Sequence, residues 1–250
     1  MKIMMVGSSW AVGAWKKSSQ PYCDELDSPG VPELLAEHYE IANFSQRDSF
    51  NYGGEEQAKL NHYENYDLIL ACQNDVYRDL AYCQAQNATW ADIKKFNETD
   101  PVSSKAFIRD QVDDLEKLRQ WLLNRFYSVM ASYGKPVMVY AGPTLVDQKL
   151  AEQHGLIVVQ PDWCKLLVPD YTSSYVESSF YLGWASELLI DLFPKNKSII
   201  QNQCLELLEQ VNVRRVLYES YPEYFAYHHP TVNGNRPMAN LLIQHLKEIS

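Results

Sequence analysis

Short apolar runs alternate with longer segments of helical periodicity along most of the chain. Strands buried on both faces of a parallel sheet show such continuous apolar runs, whereas half-buried strands alternate apolar and polar positions. The runs predict strands at residues 3–6, 41–44, 68–71, 137–140 and 156–159. The pattern therefore favours a buried sheet whose strands pair in parallel.

Helical periodicity is clearest between about residues 104 and 131, after the third predicted strand. Apolar side chains recur there on one helix face, at Ile108, Val112, Leu115, Leu122, Phe126 and Val129. Shorter helices are predicted at about 32–39, 145–154 and 237–248. Strands that alternate with helices pair in parallel, with helices on both faces. We therefore expect a single domain over residues 1–250 with a three-layer α/β/α fold and a flavodoxin-like parallel sheet.

Two stretches, at about 76–102 and 163–222, interrupt this alternation. The first is polar and aromatic, and the second has helical patterns without a clear strand. Each follows the end of a predicted strand, where ligands bind in sheets of this kind. The stretches could therefore wall a pocket or decorate the surface. Their tryptophans, which include Trp90 and Trp163, could stack on sugar rings or belong to the core.

The composition is that of an ordinary globular protein, with 46% hydrophobic and 22% charged residues among 250. The net charge of −10 argues against nucleic acid and an anionic membrane as partners, because both require clustered Lys and Arg. No stretch approaches the roughly 20 apolar residues that cross a bilayer, and the apolar run at the amino terminus is too short for a signal peptide.

Five cysteines are widely spaced, and none forms a Cys-x-x-Cys pair. The odd number and the spacing argue against a disulfide framework and against a zinc site. We interpret the cysteines as reduced thiols, which predicts a cytoplasmic protein.

The first predicted strand ends in the sequence GSSWAVG at residues 7–13, before a predicted helix. This position suits a nucleophile at Ser9, because a tight turn lifts the hydroxyl clear of the sheet. The amino terminus of the helix also offers free N–H groups to a developing oxyanion. A phosphate-binding loop is the competing interpretation. The segment has neither Gly-x-Gly-x-x-Gly nor Gly-Lys-Ser/Thr, although Lys16 and Lys17 follow closely.

Near the end of the chain, the sequence YHHPTVNGN at residues 227–235 precedes the last predicted helix. It contains His228 and His229, and Pro230 follows directly. Such a histidine pair is compatible with a solvated turn, a metal ligand or a general base. No histidine or carboxylate lies beside the pair at a helical ligand spacing, which argues against the metal.

Three short motifs, one near the amino terminus, one after the third predicted strand and one near the carboxyl terminus, resemble those of the SGNH/GDSL hydrolases. This is a family of serine esterases and acylhydrolases. Gly7, Ser9 and Gly13 match the first family motif, Gly-Asp-Ser with a later Gly. At the end of the third predicted strand, Asn74 and Asp75 match the third motif, Gly-x-Asn-Asp. His229-Pro230, with Gly-Asn at 234–235 and an amphipathic helix after it, resembles the last motif, Asp-x-x-His-Pro.

Some positions depart from the family pattern. Ser8 stands in place of Asp in the first motif, Cys72 in place of Gly in the third, and Ala226 in place of Asp in the last. A backbone carbonyl, a water molecule or a carboxylate such as Glu223 could replace that last Asp. The second motif is a glycine after strand two, but no glycine occurs there before the pair at 53–54.

The resemblance implies a hydrolase of the SGNH fold that cleaves an ester through an acyl-enzyme, without a metal or an organic cofactor. Ser9 is then the nucleophile and His229 the base, while Asn74 and the backbone N–H of Ser9 hold the oxyanion. The implied substrate is an acetylated carbohydrate, a lipid or a small acyl ester. The alternatives are an SGNH-fold binding or structural module with impaired catalysis and a phosphate- or nucleotide-binding α/β protein.

Overall fold

Five parallel strands form the central sheet of this chain. Its structure is a computed structural model that describes residues 1–16, 25–27, 29–46, 51–79, 112–172, 179–226 and 228–249. The strands are, in chain order, β1 (Lys2–Val6), β2 (Ala14–Lys16), β3 (Glu25–Asp27), β4 (Glu40–Asn43), β5 (Leu68–Gln73), β6 (Val137–Ala141), β7 (Ile157–Gln160), β8 (Phe225–Ala226) and β9 (His229–Pro230).

The central sheet has the strand order β4-β1-β5-β6-β7, and each neighbouring pair is parallel. Counted within this sheet, the order is 2-1-3-4-5, which is the flavodoxin-like arrangement. β2 pairs with β3, and β8 with β9, in two small antiparallel sheets. The predicted fold class is therefore confirmed.

Helices cover both faces of the central sheet. They are, in chain order, α1 (Ser9–Val12), α2 (Val31–Ala36), α3 (Asn51–Leu60), α4 (Leu115–Ser132), α5 (Gln148–Gln153), α6 (Trp163–Leu167), α7 (Ser179–Leu192), α8 (Lys197–Ser220) and α9 (Val232–Glu248), with 3-10 helices at Tyr63–Asn65 and Pro194–Asn196. α4 contacts α3 and α5 in one layer, and α9 contacts α2 and α6 in the other. The sheet lies between these layers, which explains why β1, β5 and β6 have continuous apolar sequences.

The predicted strands of the central sheet are confirmed within one or two residues at each end. Three helices begin at least three residues from the predicted start, and a polar side chain caps each of them. Asp147 caps α5, which begins at Gln148 instead of about 145. Asp114 accepts the backbone N–H of Lys117 at 2.9 Å, so α4 begins at Leu115, and residues 104–111 lie outside the described residues. Thr231 caps α9 in the same way, so α9 begins five residues before the predicted start and has a proline inside it.

Helix α3 carries a buried ion pair with α4. The carboxylate of Glu55 accepts two hydrogen bonds from the guanidinium of Arg125, both at 2.8 Å, and the hydroxyl of Tyr133 donates to the Glu55 carbonyl at 3.1 Å. Glu55 has no exposed surface. Loss of one partner from such a pair costs about 3–5 kcal/mol, because a charge is left buried. The pair therefore fixes α3 against α4.

The structure describes little of the stretch at about 76–102 and most of the stretch at about 163–222, the two that interrupt the predicted alternation of strands and helices. Residues 80–111, which include Trp90 and most of the first stretch, lie outside the described residues. The described part of the second stretch contains helices and turns but no strand, and its buried side chains extend the hydrophobic core. Across the described ranges, no helix is both long enough and apolar enough to cross a membrane.

Candidate active site

The loops that follow β1 and β5 leave the carboxyl edge of the sheet side by side. Val6 lies opposite Ala71 in the parallel register of these strands. Ser9 and Asn74 each come three residues after their member of this pair. Ligands bind at this edge in parallel α/β sheets. The register thus brings two of the predicted site residues to neighbouring loops.

Gly7 makes the turn between β1 and the helix that begins with Ser9. Its φ of 153° belongs to a region that L side chains rarely adopt, and an added Cβ would lie 2.7 Å from the Cβ of Cys72. Cys72 stands where the family motif has glycine. Its side chain therefore occupies the space between the end of β1 and the end of β5. Position 7 therefore requires glycine, and the turn it makes brings Ser9 to the sheet edge with 8% of its surface exposed.

Asn43, the last residue of β4, closes the far end of α1. Its side-chain amide donates to the carbonyl oxygens of Ala11 and Val12, at 3.2 and 3.3 Å. The last carbonyls of a helix have no partner within the helix, and a four-residue helix is too short to persist alone. Asn43 therefore stabilises the helix that carries Ser9. Nothing in the sequence pattern marks Asn43 for this role.

His229 lies on a hairpin formed by β8 and β9, where it pairs directly with Ala226. The chain after the hairpin is tied down at Thr231, whose hydroxyl donates to the carbonyl oxygen of Glu223 at 2.6 Å. The side-chain amide of Asn235 donates to the Thr231 carbonyl at 2.8 Å. Local hydrogen bonds therefore fix the hairpin on the first turn of α9.

The Oγ of Ser9 and the Nε2 of His229 are 2.9 Å apart, which is a hydrogen bond. The structure thus brings together two residues that are 220 positions apart in the sequence. When Nε2 carries no proton, it accepts the hydroxyl hydrogen of the serine. An imidazole in this position can remove that proton as the oxygen attacks an electrophile.

Four aromatic residues, called here the aromatic cluster, hold the two loops together: Trp10, Trp163, Tyr218 and Phe225. Trp10 follows Ser9 directly and packs edge-on against Trp163, with 5.2 Å between the ring centroids. Its ring also lies 6.3 Å from that of Tyr218 and 6.4 Å from that of Phe225, the first residue of β8. Such ring pairs contribute about 0.5–1.5 kcal/mol each beyond their burial. The aromatic cluster therefore positions the hairpin of His229 against the helix of Ser9.

Trp163 belongs to the hydrophobic core. None of its surface is exposed, and its indole Nε1 donates to the Gly234 carbonyl at 3.0 Å. The interpretation of Trp163 as a platform for sugar rings is therefore wrong, and the core interpretation is confirmed. The physical reason is that the ring of Trp163, the first residue of α6, packs edge-on against Tyr140 of β6, with 6.0 Å between the ring centroids, as well as against Trp10.

Asn74 lies at the end of β5 with 1% of its surface exposed. Its backbone N–H donates to Oδ1 of Asn51, the first residue of α3, at 2.8 Å. The sequence pattern does not predict α3, because its first turn contains the glycines at 53–54, and glycine is a poor helix former. Gly54 lies against Val6 and Gly7. Residues 47–50, where a donor from the second motif could lie, are outside the described residues.

Cys72 is not a rival nucleophile, although it lies beside Gly7. Burial raises the pKa of its thiol far above the usual range, so the thiol stays protonated at neutral pH. Burial also raises the pKa of the Cys164 thiol to about 11. In the ranges that the structure describes, no group of three or more His, Cys, Asp or Glu side chains is arranged to hold a metal ion.

No protein-family model matches the chain, and no curated protein matches its sequence. Among solved structures, the chain is similar to a candidate acylhydrolase from Bacteroides fragilis, with 9% identity, a TM-score of 0.45, and 99% of this chain and 87% of that chain covered. It is also similar to a lipase/acylhydrolase from Enterococcus faecalis, with 14% identity, a TM-score of 0.36, and 80% of this chain and 97% of that chain covered. Both TM-scores are below 0.5, so the fold class rests on the strand order of this chain.

Proposed function

We propose that this chain is a serine hydrolase that cleaves an ester, with Ser9 as the nucleophile and His229 as the base. The observation that carries the proposal is the 2.9 Å hydrogen bond between Ser9 Oγ and His229 Nε2. A serine hydroxyl is a weak nucleophile until an adjacent base accepts its proton. The resemblance to SGNH/GDSL hydrolases singles out the same two residues from the sequence.

The proposed reaction has two steps. In the first, Ser9 Oγ attacks the ester carbonyl carbon while His229 Nε2 takes the hydroxyl proton, and the oxyanion accepts hydrogen bonds from the Asn74 side chain and the Ser9 backbone N–H. The intermediate then expels the alcohol, which receives the proton from the imidazolium. In the second step, His229 removes a proton from water, the water attacks the acyl-enzyme, and the acid leaves as Ser9 regains its proton.

The position of the family's last aspartate is filled by Ala226, which is 1% exposed and lies across the hairpin from His229. A methyl group accepts no hydrogen bond, so the side chain at 226 does not orient the imidazole. Disabling the aspartate of a triad can cost about 10⁴ in rate. We therefore propose a dyad of modest turnover, in which the ring is carried by the hairpin and the hairpin is positioned by the aromatic cluster.

The substrate class that we propose is an acetylated carbohydrate, a lipid or a small acyl ester. The experiment that tests the function combines a fluorophosphonate probe with a panel of chromogenic and acetylated-sugar esters. We expect the probe to label the folded protein on the peptide that contains Ser9, and at least one ester to be hydrolysed. A folded protein that neither labels nor turns over any ester would instead favour a module with impaired catalysis.

Replacement of Asn74 by alanine tests its role in the transition state. Loss of one oxyanion donor lowers kcat by about 10²–10³ in comparable enzymes, and we expect that loss with a smaller change in KM. Steady-state kinetics on the best ester measure both constants. Asn61→Ala, one residue after the end of α3, is the matched control and should change neither. A change confined to KM would make Asn74 a substrate-binding residue instead.

Replacement of Ala226 by aspartate tests the dyad. Residues directly opposite in a hairpin have Cβ atoms about 4.5–5.5 Å apart, so the new carboxylate reaches the His229 ring. We expect kcat to be preserved or raised and the melting temperature to fall, because a charge enters a buried position. Ala226→Asn is the control of equal size without the charge. An Asp variant that folds but is slower than the Asn variant contradicts the prediction.

A further inference from the structure

Buried polar groups behind the Asn74 turn form one connected hydrogen-bond network. Its members, called here the Asn74 network, are at most 3% exposed: Asn51, Gln73, Asn74, Tyr127 and Thr144. They come from α3, β5, α4 and the loop after β6. The reaction proposed above uses only Asn74 among them, so the other members need a separate explanation.

Asn51 binds the peptide backbone of Asn74 from both sides. Its Oδ1 accepts the Asn74 N–H at 2.8 Å, and its Nδ2 donates to the Asn74 carbonyl at the longer distance of 3.4 Å. Only this orientation of the amide works, because a backbone N–H always donates and a carbonyl always accepts. The side chain of Asn51 therefore determines the position of the Asn74 backbone.

A second route reaches the same carbonyl from α4, the neighbour of α3 in the same helix layer. The Tyr127 hydroxyl accepts the Asp147 N–H at 3.1 Å and donates to Oε1 of Gln73. The Gln73 amide then donates to Thr144 Oγ1 at 3.3 Å and to the Leu145 carbonyl. The Thr144 hydroxyl donates to the Asn74 carbonyl at 3.0 Å. Each donor thus finds an acceptor along one directional chain that ends at Asn74.

The support of Asn51 is itself rigid. Glu55 lies one helical turn after Asn51 on α3, and the buried ion pair between Glu55 and Arg125 anchors that turn to α4. Arg125 and Tyr127 lie on the same helix, so both routes to Asn74 end on α4. The turn after β5 is therefore fixed to the helix layer as well as to the sheet.

We propose that Asn51 is a positioning residue, which with the rest of the Asn74 network aims the Asn74 side chain at the oxyanion. The inference rests on the proposed function, because it concerns the efficiency of the same reaction. An oxyanion donor is effective only at hydrogen-bond distance from the developing charge, and a misplacement of about 1 Å can cost about 10² in rate. Asn51→Leu should therefore lower kcat by about 10- to 100-fold and change KM little.

A double-mutant cycle separates positioning from a general effect on folding. If Asn51 acts through Asn74, then Asn51→Leu should cost little when it is added to Asn74→Ala, because the donor that it aims is already gone. Equal losses of kcat from Asn51→Leu with and without Asn74 would overturn the proposal. The melting temperature of each variant shows that the compared proteins are folded.

Two tyrosines on α4 provide a test of the second route and its control. Tyr127→Phe removes a hydroxyl from the Asn74 network, and Tyr133→Phe removes a buried hydroxyl that donates to the Glu55 carbonyl instead. Both variants should lower the melting temperature by a similar amount. Only Tyr127→Phe should lower kcat, by about threefold or more. Equal kcat values for the two variants would contradict the second route.

Hydrogen exchange tests the inference without any substrate. The Asn74 amide should exchange slowly in the native chain and at least tenfold faster in Asn51→Leu, while amides at the centre of β1 keep their rates. If no ester is hydrolysed but exchange accelerates in this way, the proposed function fails and the positioning of the turn stands. If esters are hydrolysed but neither exchange nor kcat responds to Asn51→Leu, the function stands and the inference fails.

Discussion

The Ser9→Ala variant is expected to lose ester hydrolysis by a factor of at least about 10⁴ and to lose all labelling by a fluorophosphonate. The hydroxyl removed is the one that lies 2.9 Å from His229 Nε2 at the carboxyl edge of the sheet. Residual catalysis would come from binding and from the oxyanion donors, which act without a covalent step. Loss of one hydrogen bond lowers stability by only about 1 kcal/mol, so the variant should fold.

Ser8 is the matched control for this variant. It is fully buried beside Ser9, and its Oγ has no hydrogen-bond partner among the described residues. Removal of a buried hydroxyl without a partner is neutral or stabilising. Ser8→Ala should therefore keep both turnover and labelling. Activity that survives Ser9→Ala and disappears in Ser8→Ala would mean that the nucleophile is the neighbouring serine.

The His229→Ala variant is expected to lose a factor of at least about 10³ in kcat, because the proposed reaction uses the imidazole to take up the serine proton. Steady-state kinetics on the best ester, together with the rate of probe labelling, measure the loss of kcat. Labelling should slow in parallel, since the same proton must leave Ser9 when the probe reacts. Full activity without His229 would remove the dyad from the mechanism.

The neighbouring histidine provides the comparison. His228 is exposed, and its ring packs edge-on against Tyr218 at 5.4 Å between centroids. His228→Ala deletes an imidazole of the same hairpin and should cost far less in kcat than His229→Ala. The reverse ranking would show that His228, and not His229, is the base.

The strands of the central sheet could be predicted because the apolar sequence that each requires lies within the strand itself. A strand between two helical layers must be apolar at nearly every position, and the sequence at 68–71 or 137–140 shows this directly. Ser9 and His229 could be proposed because each lies in a motif at an element boundary. Their distance could not be predicted, since it depends on Trp10 and the rest of the aromatic cluster.

The positions that the sequence did not reveal depend on contacts between distant segments. α3 contains two glycines in its first turn and is stabilised by the buried pair of Glu55 and Arg125, which no local pattern contains. Asn51 begins that helix, so its contact with Asn74 could not be inferred either. The same reasoning applies to Asn43, where an asparagine at a strand end predicts only a turn.

The separation of Ser9 and His229 by 220 residues has a consequence for synthesis. Ribosomes add about 5–20 residues each second, so the proposed base emerges roughly 10–45 seconds after the proposed nucleophile (220 divided by 20 and by 5). Throughout that interval the nascent chain carries a serine of ordinary reactivity. The last helix, α9, must then dock on α2 and α6, and β9 on α1, before the proposed proton acceptor arrives. Translation products that stop before residue 229 would consequently lack the proposed base and would not acylate themselves on cellular esters.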